Sequence, residues 1–180
     1  PSQPPEDERE AKARAAGLAF VPLSGDIGVI GNGAGLVMST IDRIAAAGGS
    51  AADFCDIGGG ARAAAIVAAL EAVLAGPPVA AVLVNVFGGI TRGDEVARGL
   101  IEALTAAHVD VPVVVRLDGN AAEEGRAVLD QAALPGVTVA ESAERAVELV
   151  VAAARQASPG GAPATGAEQA APTVSRRGGE

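Results

Sequence analysis

Three glycine-rich stretches hold the residues of this chain best suited to chemistry. They are Gly31-Asn32-Gly33-Ala34-Gly35, Gly58-Gly59-Gly60 and Phe87-Gly88-Gly89-Ile90-Thr91-Arg92-Gly93-Asp94. Glycine lets a backbone approach a ligand closely. Where such a stretch opens a helix, unbonded N–H groups and the positive dipole end attract phosphate or carboxylate. In the third stretch, Gly89 to Thr91 offer amides and Arg92 a positive charge. Thr91-x-x-Asp94 has the spacing of a capping pair, which assigns Asp94 to the helix cap and not to the ligand. An ordinary capped helix has the same spacing, but three such stretches in one chain point to a common anion-binding rim. The first stretch also offers Gly-x-Gly after a strand-like run, with Asp53 and Asp56 following about 20 residues later as in a dinucleotide fingerprint. Leu36 stands where the third glycine of that fingerprint belongs, which leaves nicotinamide binding the weakest alternative.

Other chemistry is narrowed by composition. The only lysine, Lys12, lies in the charged leader, so the interior offers no Walker-type phosphate loop and no Schiff base. One cysteine, Cys55, and one histidine, His108, exclude a disulfide framework, a cysteine zinc site and a histidine cluster, and agree with a reducing, cytoplasmic setting. His108 sits in a polar turn before a strand, and Cys55 reads as a small buried core residue. No Gly-x-Ser-x-Gly elbow occurs. A net charge of −9, with neither Trp nor Tyr, argues against nucleic-acid binding. Every apolar run is interrupted before it reaches the length of a membrane span. No metal site and no self-sufficient catalytic apparatus are expected.

The elements that must position these stretches alternate. Short β-branched runs at Ile27–Ile30, Ala52–Ile57, Val79–Asn85, Val111–Leu117 and Val137–Val139 read as strands, and Phe20–Leu23 as an antiparallel edge strand. Val79–Val84 and Val111–Val115 are continuously apolar, as in strands buried on both faces of a parallel sheet. Helices are predicted over Ala34–Ala47, Arg62–Leu74, Gly93–Ala107, Ala121–Ala133 and Ser142–Arg155, with Gly48-Gly49 and Gly76-Pro77 as stops. Five β–α units give a doubly wound parallel sheet in three α/β/α layers, with ligands expected beyond the carboxyl ends of the strands. Residues 1–17 read as a charged leader running into a short helix. Residues 18–156 form the domain, and 157–180, rich in Gly, Ala, Pro and Thr, read as a disordered tail. The absence of an initiator Met leads us to expect a chain cut from something longer or processed.

Several blocks in register carry a family resemblance. Gly25-Asp26-Ile27-Gly28 is followed by Asn32-Gly33-Ala34-Gly35-Leu36-x-Met38-x-Thr40-x-Asp42. Then come Asp53-Phe54-x-Asp56-x-Gly58-Gly59-Gly60-Ala61, Leu83-Val84-Asn85-x-Phe87-Gly88-Gly89-Ile90-x-Arg92-x-Asp94 and Val113-Val114-Val115-Arg116-Leu117-x-Gly119-Asn120. Together they resemble the carboxy-terminal, flavodoxin-like CoA-ligase domain of the β subunit of succinyl-CoA synthetase (succinate–CoA ligase), over roughly Glu6 to Gln156. The resemblance implies a partner α subunit that binds coenzyme A and carries a phosphorylated histidine. It also implies an ATP-grasp domain that binds Mg-ATP or Mg-GTP, after which this chain would begin. No cofactor is expected within this chain itself. Carried over by motif, Asn32, Gly89, Ile90 and Thr91 would contact substrate, and Gly88 and Arg92 would lie at the helix amino end facing the phosphohistidine. A relative acting on malate or another dicarboxylate would share every one of these motifs. A stand-alone binding or assembly module that kept the fold and lost the catalysis is the alternative from a different class.

Overall fold

The computed structural model describes residues 7–157. The order of elements is α1 (Glu8–Ala15), β1 (Ala19–Pro22), β2 (Ile27–Gly31), α2 (Ala34–Ala46), β3 (Asp53–Asp56), α3 (Ala63–Leu74) and β4 (Ala81–Gly88). It continues with α4 (Gly93–Ala107), β5 (Val113–Gly119), α5 (Ala122–Ala132), β6 (Val137–Val139) and α6 (Ala143–Ala157). The strands form one sheet in the order β1-β3-β2-β4-β5-β6. Only β1 runs antiparallel, against β3. The parallel strands therefore follow the 2-1-3-4-5 order of the flavodoxin-like, three-layer α/β/α fold, as the sequence reading expects. The tail expected over 157–180 lies outside the described residues from 158 onward, and Ala157 closes α6.

Patterning explains the layers. In β4, Ala81 to Val86 are all buried. Val82, Val84 and Val86 join the core under α1, α3, α4 and α5, whereas Ala81 and Leu83 join the core under α2 and α6. A strand buried on both faces has no use for polar alternation, which is why this segment is continuously apolar. Helix α2 ends in a Schellman motif: Gly48 N–H donates to Ala45 O and Gly49 N–H to Ile44 O, with Gly48 at φ +82° where a side chain would be strained. In the leader, α1 packs on β1 and α3 and buries Ala13 in the larger core.

Two details set up the rim. Strand β4 continues to Gly88, past the expected end at Asn85, because β5 pairs with it as far as Gly88↔Gly119. The neighbouring strands β2 and β4 send their chains to opposite faces, β2 into α2 and β4 into α4. This is the topological switch point, and a crevice forms there between the two strand ends.

Candidate functional site at the carboxyl edge of the sheet

The three glycine-rich stretches converge at this crevice, tied together by side chains. Strand β2 ends at Gly31, and Asn32 then substitutes for a further ladder residue beside β4. Its Oδ1 accepts from Phe87 N–H at 2.9 Å, and its Nδ2 donates to Phe87 O at 2.8 Å. The same Nδ2 donates to Thr91 Oγ1 at 3.0 Å, and Thr91 Oγ1 also accepts from Gly60 N–H at 3.1 Å. Asp56 binds the first two stretches: Oδ1 accepts from Gly33 N–H at 2.6 Å and from Gly58 N–H at 2.8 Å. Each stretch thus reaches at least one of the others through a named polar group.

Helix α4 begins differently from the capping-pair expectation. Its N-cap is Arg92, in extended conformation and without a side-chain cap, and Thr91 is spent on the inter-loop bonds instead. A threonine held at a loop junction cannot also turn its hydroxyl onto the first turn of the helix, so the sequence spacing was misleading here. Asp94 does not form the other half of that pair. Arg92 Nε lies 3.0 Å from Asp94 Oδ1, and Arg98 Nη1 lies 3.1 Å from Asp94 Oδ2. The Arg92 guanidinium holds the Asp94 carboxyl below its ordinary range. Residue 92 gives α4 no side-chain cap; Gly93 N–H donates instead to Asn120 O at 2.9 Å, and Asp94 and Glu95 stand in the first turn.

Gly89 and Ile90 are exposed at the tip of the third stretch, Ile90 79% so, and Phe87 is 54% exposed beside them. Thr91, by contrast, is only 2% exposed. A cleft of about 390 Å³ opens between the amino ends of α3 and α4, lined by Gly60, Ala61, Arg62, Ile90, Arg92 and Glu95. Two helix amino ends and two arginines meet there beside Glu95; Arg92 is already paired with Asp94, which leaves Arg62 to meet a phosphate or carboxylate. Arg62 was missed in the sequence, where it registers only as a helix start. Its signal is its place directly after Gly58-Gly59-Gly60-Ala61.

On the other side of the rim a buried polar chain runs between layers. Thr40 hydroxyl donates to Leu36 O, Asn85 Nδ2 donates to Thr40 Oγ1 at 3.0 Å, and Arg116 Nη1 donates to Asn85 Oδ1 at 3.3 Å. Arg116 also pairs with Asp118 at 2.6 Å and stacks over Phe87, 5.2 Å from the ring centroid. This network borders a cavity of about 430 Å³ between α2 and α6. Asn85, polar at the end of a buried apolar strand, was its legible signal. The cavity's arginines are already paired, Arg116 with Asp118 and Arg43 with Glu144.

The remaining candidates are placed elsewhere. Asp53 is 1% exposed, and its Oδ1 accepts from Val29 N–H at 3.2 Å. Asp56 is committed to Gly33 and Gly58. Neither carboxylate is available to a ribose, which removes the structural basis of the dinucleotide reading. Cys55 is fully buried and burial pushes its thiol pKa up, so it is not an activated nucleophile. His108 ends α4 in left-handed conformation at φ 47°, exposed and remote from the rim in the fold. Among the described residues, no helix is long and apolar enough to cross a membrane. No group of three or more His, Cys, Asp or Glu side chains in that span is placed to hold a metal ion.

Comparison with known proteins adds the following. The family model described as CoA-ligase matches residues 30–153. The chain is 54% identical over 147 residues to the β subunit of ADP-forming succinate–CoA ligase from Rubrobacter xylanophilus, covering 79% of this chain and 38% of that protein. It is 53% identical over 151 residues to β subunit 2 of the same enzyme from Streptomyces coelicolor, covering 82% of this chain and 39% of that one. The chain thus spans well under half the length of these relatives. Among solved structures it is similar in fold to ATP citrate lyase from Methanothrix soehngenii, with a TM-score of 0.70 at 17% identity over 84% of this chain and 44% of that one. The dinucleotide-forming acetyl-coenzyme A synthetase 1 of Ca. Korarchaeum cryptofilum matches with a TM-score of 0.60 at 22% identity, over 76% of this chain and 35% of that one.

Proposed function

The chain belongs to the CoA-ligase family, and from that premise we propose that it supplies half of a phosphoryl- and acyl-transfer site in a succinate–CoA ligase. The other half would come from an α-type subunit carrying a phosphohistidine and coenzyme A. Mg-ATP or Mg-GTP would be held by an ATP-grasp portion outside this chain. The observation that carries the proposal is the tied rim itself: exposed Gly89 and Ile90 just before the amino end of α4, held to the other two stretches through Asn32 and Thr91.

In this reading the residues divide the work. The backbone of Gly88 to Thr91 and the α4 amino end face the transferring phosphoryl group and stabilise its charge, with Arg92 and Arg62 beside them. The acid lies against the Gly89–Thr91 segment and the loop at Asn32, whose side-chain amide, with both N–H groups donated to Phe87 O and Thr91 Oγ1, orients the carboxylate for attack on phosphorus by holding that segment in place. These groups act by placement and charge and exchange no proton with the substrate. Succinate is the acid best supported, because the relatives that are about half identical carry that name. Malate or another dicarboxylate is the competing substrate.

The test is native mass spectrometry of this chain mixed with a phosphohistidine-bearing α subunit and the ATP-grasp portion, followed by an assay with succinate and malate. A stable heteromer that forms the acyl-CoA supports the proposal, and the preferred acid fixes the substrate. A folded chain that fails to associate would sink it and leave the stand-alone module.

A further inference from the structure

Asn120, in the turn between β5 and α5, holds the third glycine-rich stretch from the side opposite Asn32. Its N–H donates to Gly88 O at 3.1 Å, its Nδ2 donates to Gly89 O at 3.2 Å, and its carbonyl accepts from Gly93 N–H at 2.9 Å. The contact is close because glycines allow it. A Cβ on Gly119, which sits at φ +95°, would lie 2.4 Å from Gly88 O, and one on Gly93 would lie 2.8 Å from Ala121 O.

The consequence follows from peptide planarity. In a trans peptide the C=O and the following N–H point in opposite directions, and no cis bond occurs among the described residues. The carbonyls of Gly88 and Gly89 both turn toward Asn120, so the N–H groups of Gly89 and Ile90 both turn away from it. Both of those residues are exposed at the rim. Two successive N–H groups on one side form the concavity with which a backbone binds an anion. We propose that Asn120 is a positioning residue for the transfer step: it fixes the two peptide units whose amides meet the phosphoryl group, without touching that group itself. The proposal rests on the ligase reading above.

Three variants test it in the assembled ligase, with this chain joined to its ATP-grasp portion and α-type partner. Asn120→Ala keeps both backbone bonds and frees only the Gly89 peptide. It should lower kcat by about tenfold and leave the KM for nucleotide and the thermal midpoint at parent values. Asn120→Asp has the same shape without the donor and should lose at least as much. Asn120→His places an Nδ1–H as many bonds from Cα as the asparagine Nδ2, and should return kcat to within about threefold of the parent. An Asn120→Ala enzyme with the parent kcat overturns the inference while the ligase reading stands. Equal losses in Asn120→Ala and Asn120→His overturn it too, because they make residue 120 a packing position. An assembled parent without acid-dependent turnover overturns the ligase reading, and this inference falls with it.

Discussion

Thr91 is buried, and its Oγ1 accepts from both Asn32 Nδ2 and Gly60 N–H. Replacing it by valine keeps the shape and leaves both donors without an acceptor, the Gly60 N–H in a part-buried position. An unsatisfied donor in such surroundings costs roughly 1–3 kcal/mol. Thr91→Val should therefore lower the unfolding free energy by about 2 kcal/mol in a urea titration, and Thr91→Ser, which keeps the oxygen, should lose less than half of that. A valine variant as stable as the parent would show that the junction contributes nothing. The identity of this residue was legible in the sequence but its task was not. A Thr-x-x-Asp spacing describes distance along the chain, and the bonds that decide the matter come from residues 59 and 31 positions away. Asp56 was obscured in the same way: read against a fingerprint, it stood as a ribose acceptor, whereas the fold uses it to pin Gly33 and Gly58. Asn32, Gly89 and Ile90 were legible because a glycine-rich turn after a buried strand announces itself locally.

Helices α4 and α5 set where the rim stands. Gly125 on α5 packs directly on the first turn of α4: a Cβ there would lie 2.5 Å from Gly93 O, with Leu117 Cδ1 at 2.8 Å on another side. The obstacle is backbone, which cannot rotate away as a side chain can, so α4 must move. Gly125→Ala raises helix propensity yet should destabilise the chain by about 2 kcal/mol through overpacking, a shift of roughly 5 °C in thermal midpoint. An unchanged or raised midpoint would show that the two helices are not wedged together. Strand and helix positions were legible from sequence to within two residues, because the apolar runs and glycine stops follow the same physics that forms the elements. The exception is the carboxyl end of β4. It runs on through Phe87 and Gly88 because β5 and the Asn32 side chain supply partners from elsewhere in the chain. No local pattern encodes a neighbour of that kind.

At the scale of the whole molecule, one buried acid sets a pH dependence. The larger core takes in Phe20, Ile30, Cys55 and Val73, and Asp53 lies beside it at the start of the inner strand β3, 1% exposed. Its Oδ1 has Val29 N–H as a partner, and its Oδ2 has none. Burial raises the carboxyl pKa from 3.8 to about 7, against the smaller opposing effects of the Val29 N–H and the Arg9 charge. The folded chain therefore holds a proton that the unfolded chain has released between pH 3.8 and about 7. Where the folded state binds more protons, stability falls as pH rises. The contribution of Asp53 is fully present below pH 3.8, is lost progressively up to about pH 7, and is flat above it. The total is on the order of a few kcal/mol. Other carboxylates, Asp94 among them, have lowered pKa values and pull in the opposite sense, since their contribution is lost as pH falls. The quantity to measure is thus the difference in unfolding free energy between parent and Asp53→Asn across pH. That difference, parent minus variant, should decline between about pH 4 and 7 and level off above, because asparagine cannot titrate. A difference that stays constant through that window would mean that Asp53 is charged throughout, with the Oδ2 atom reached by water that rigid packing would exclude.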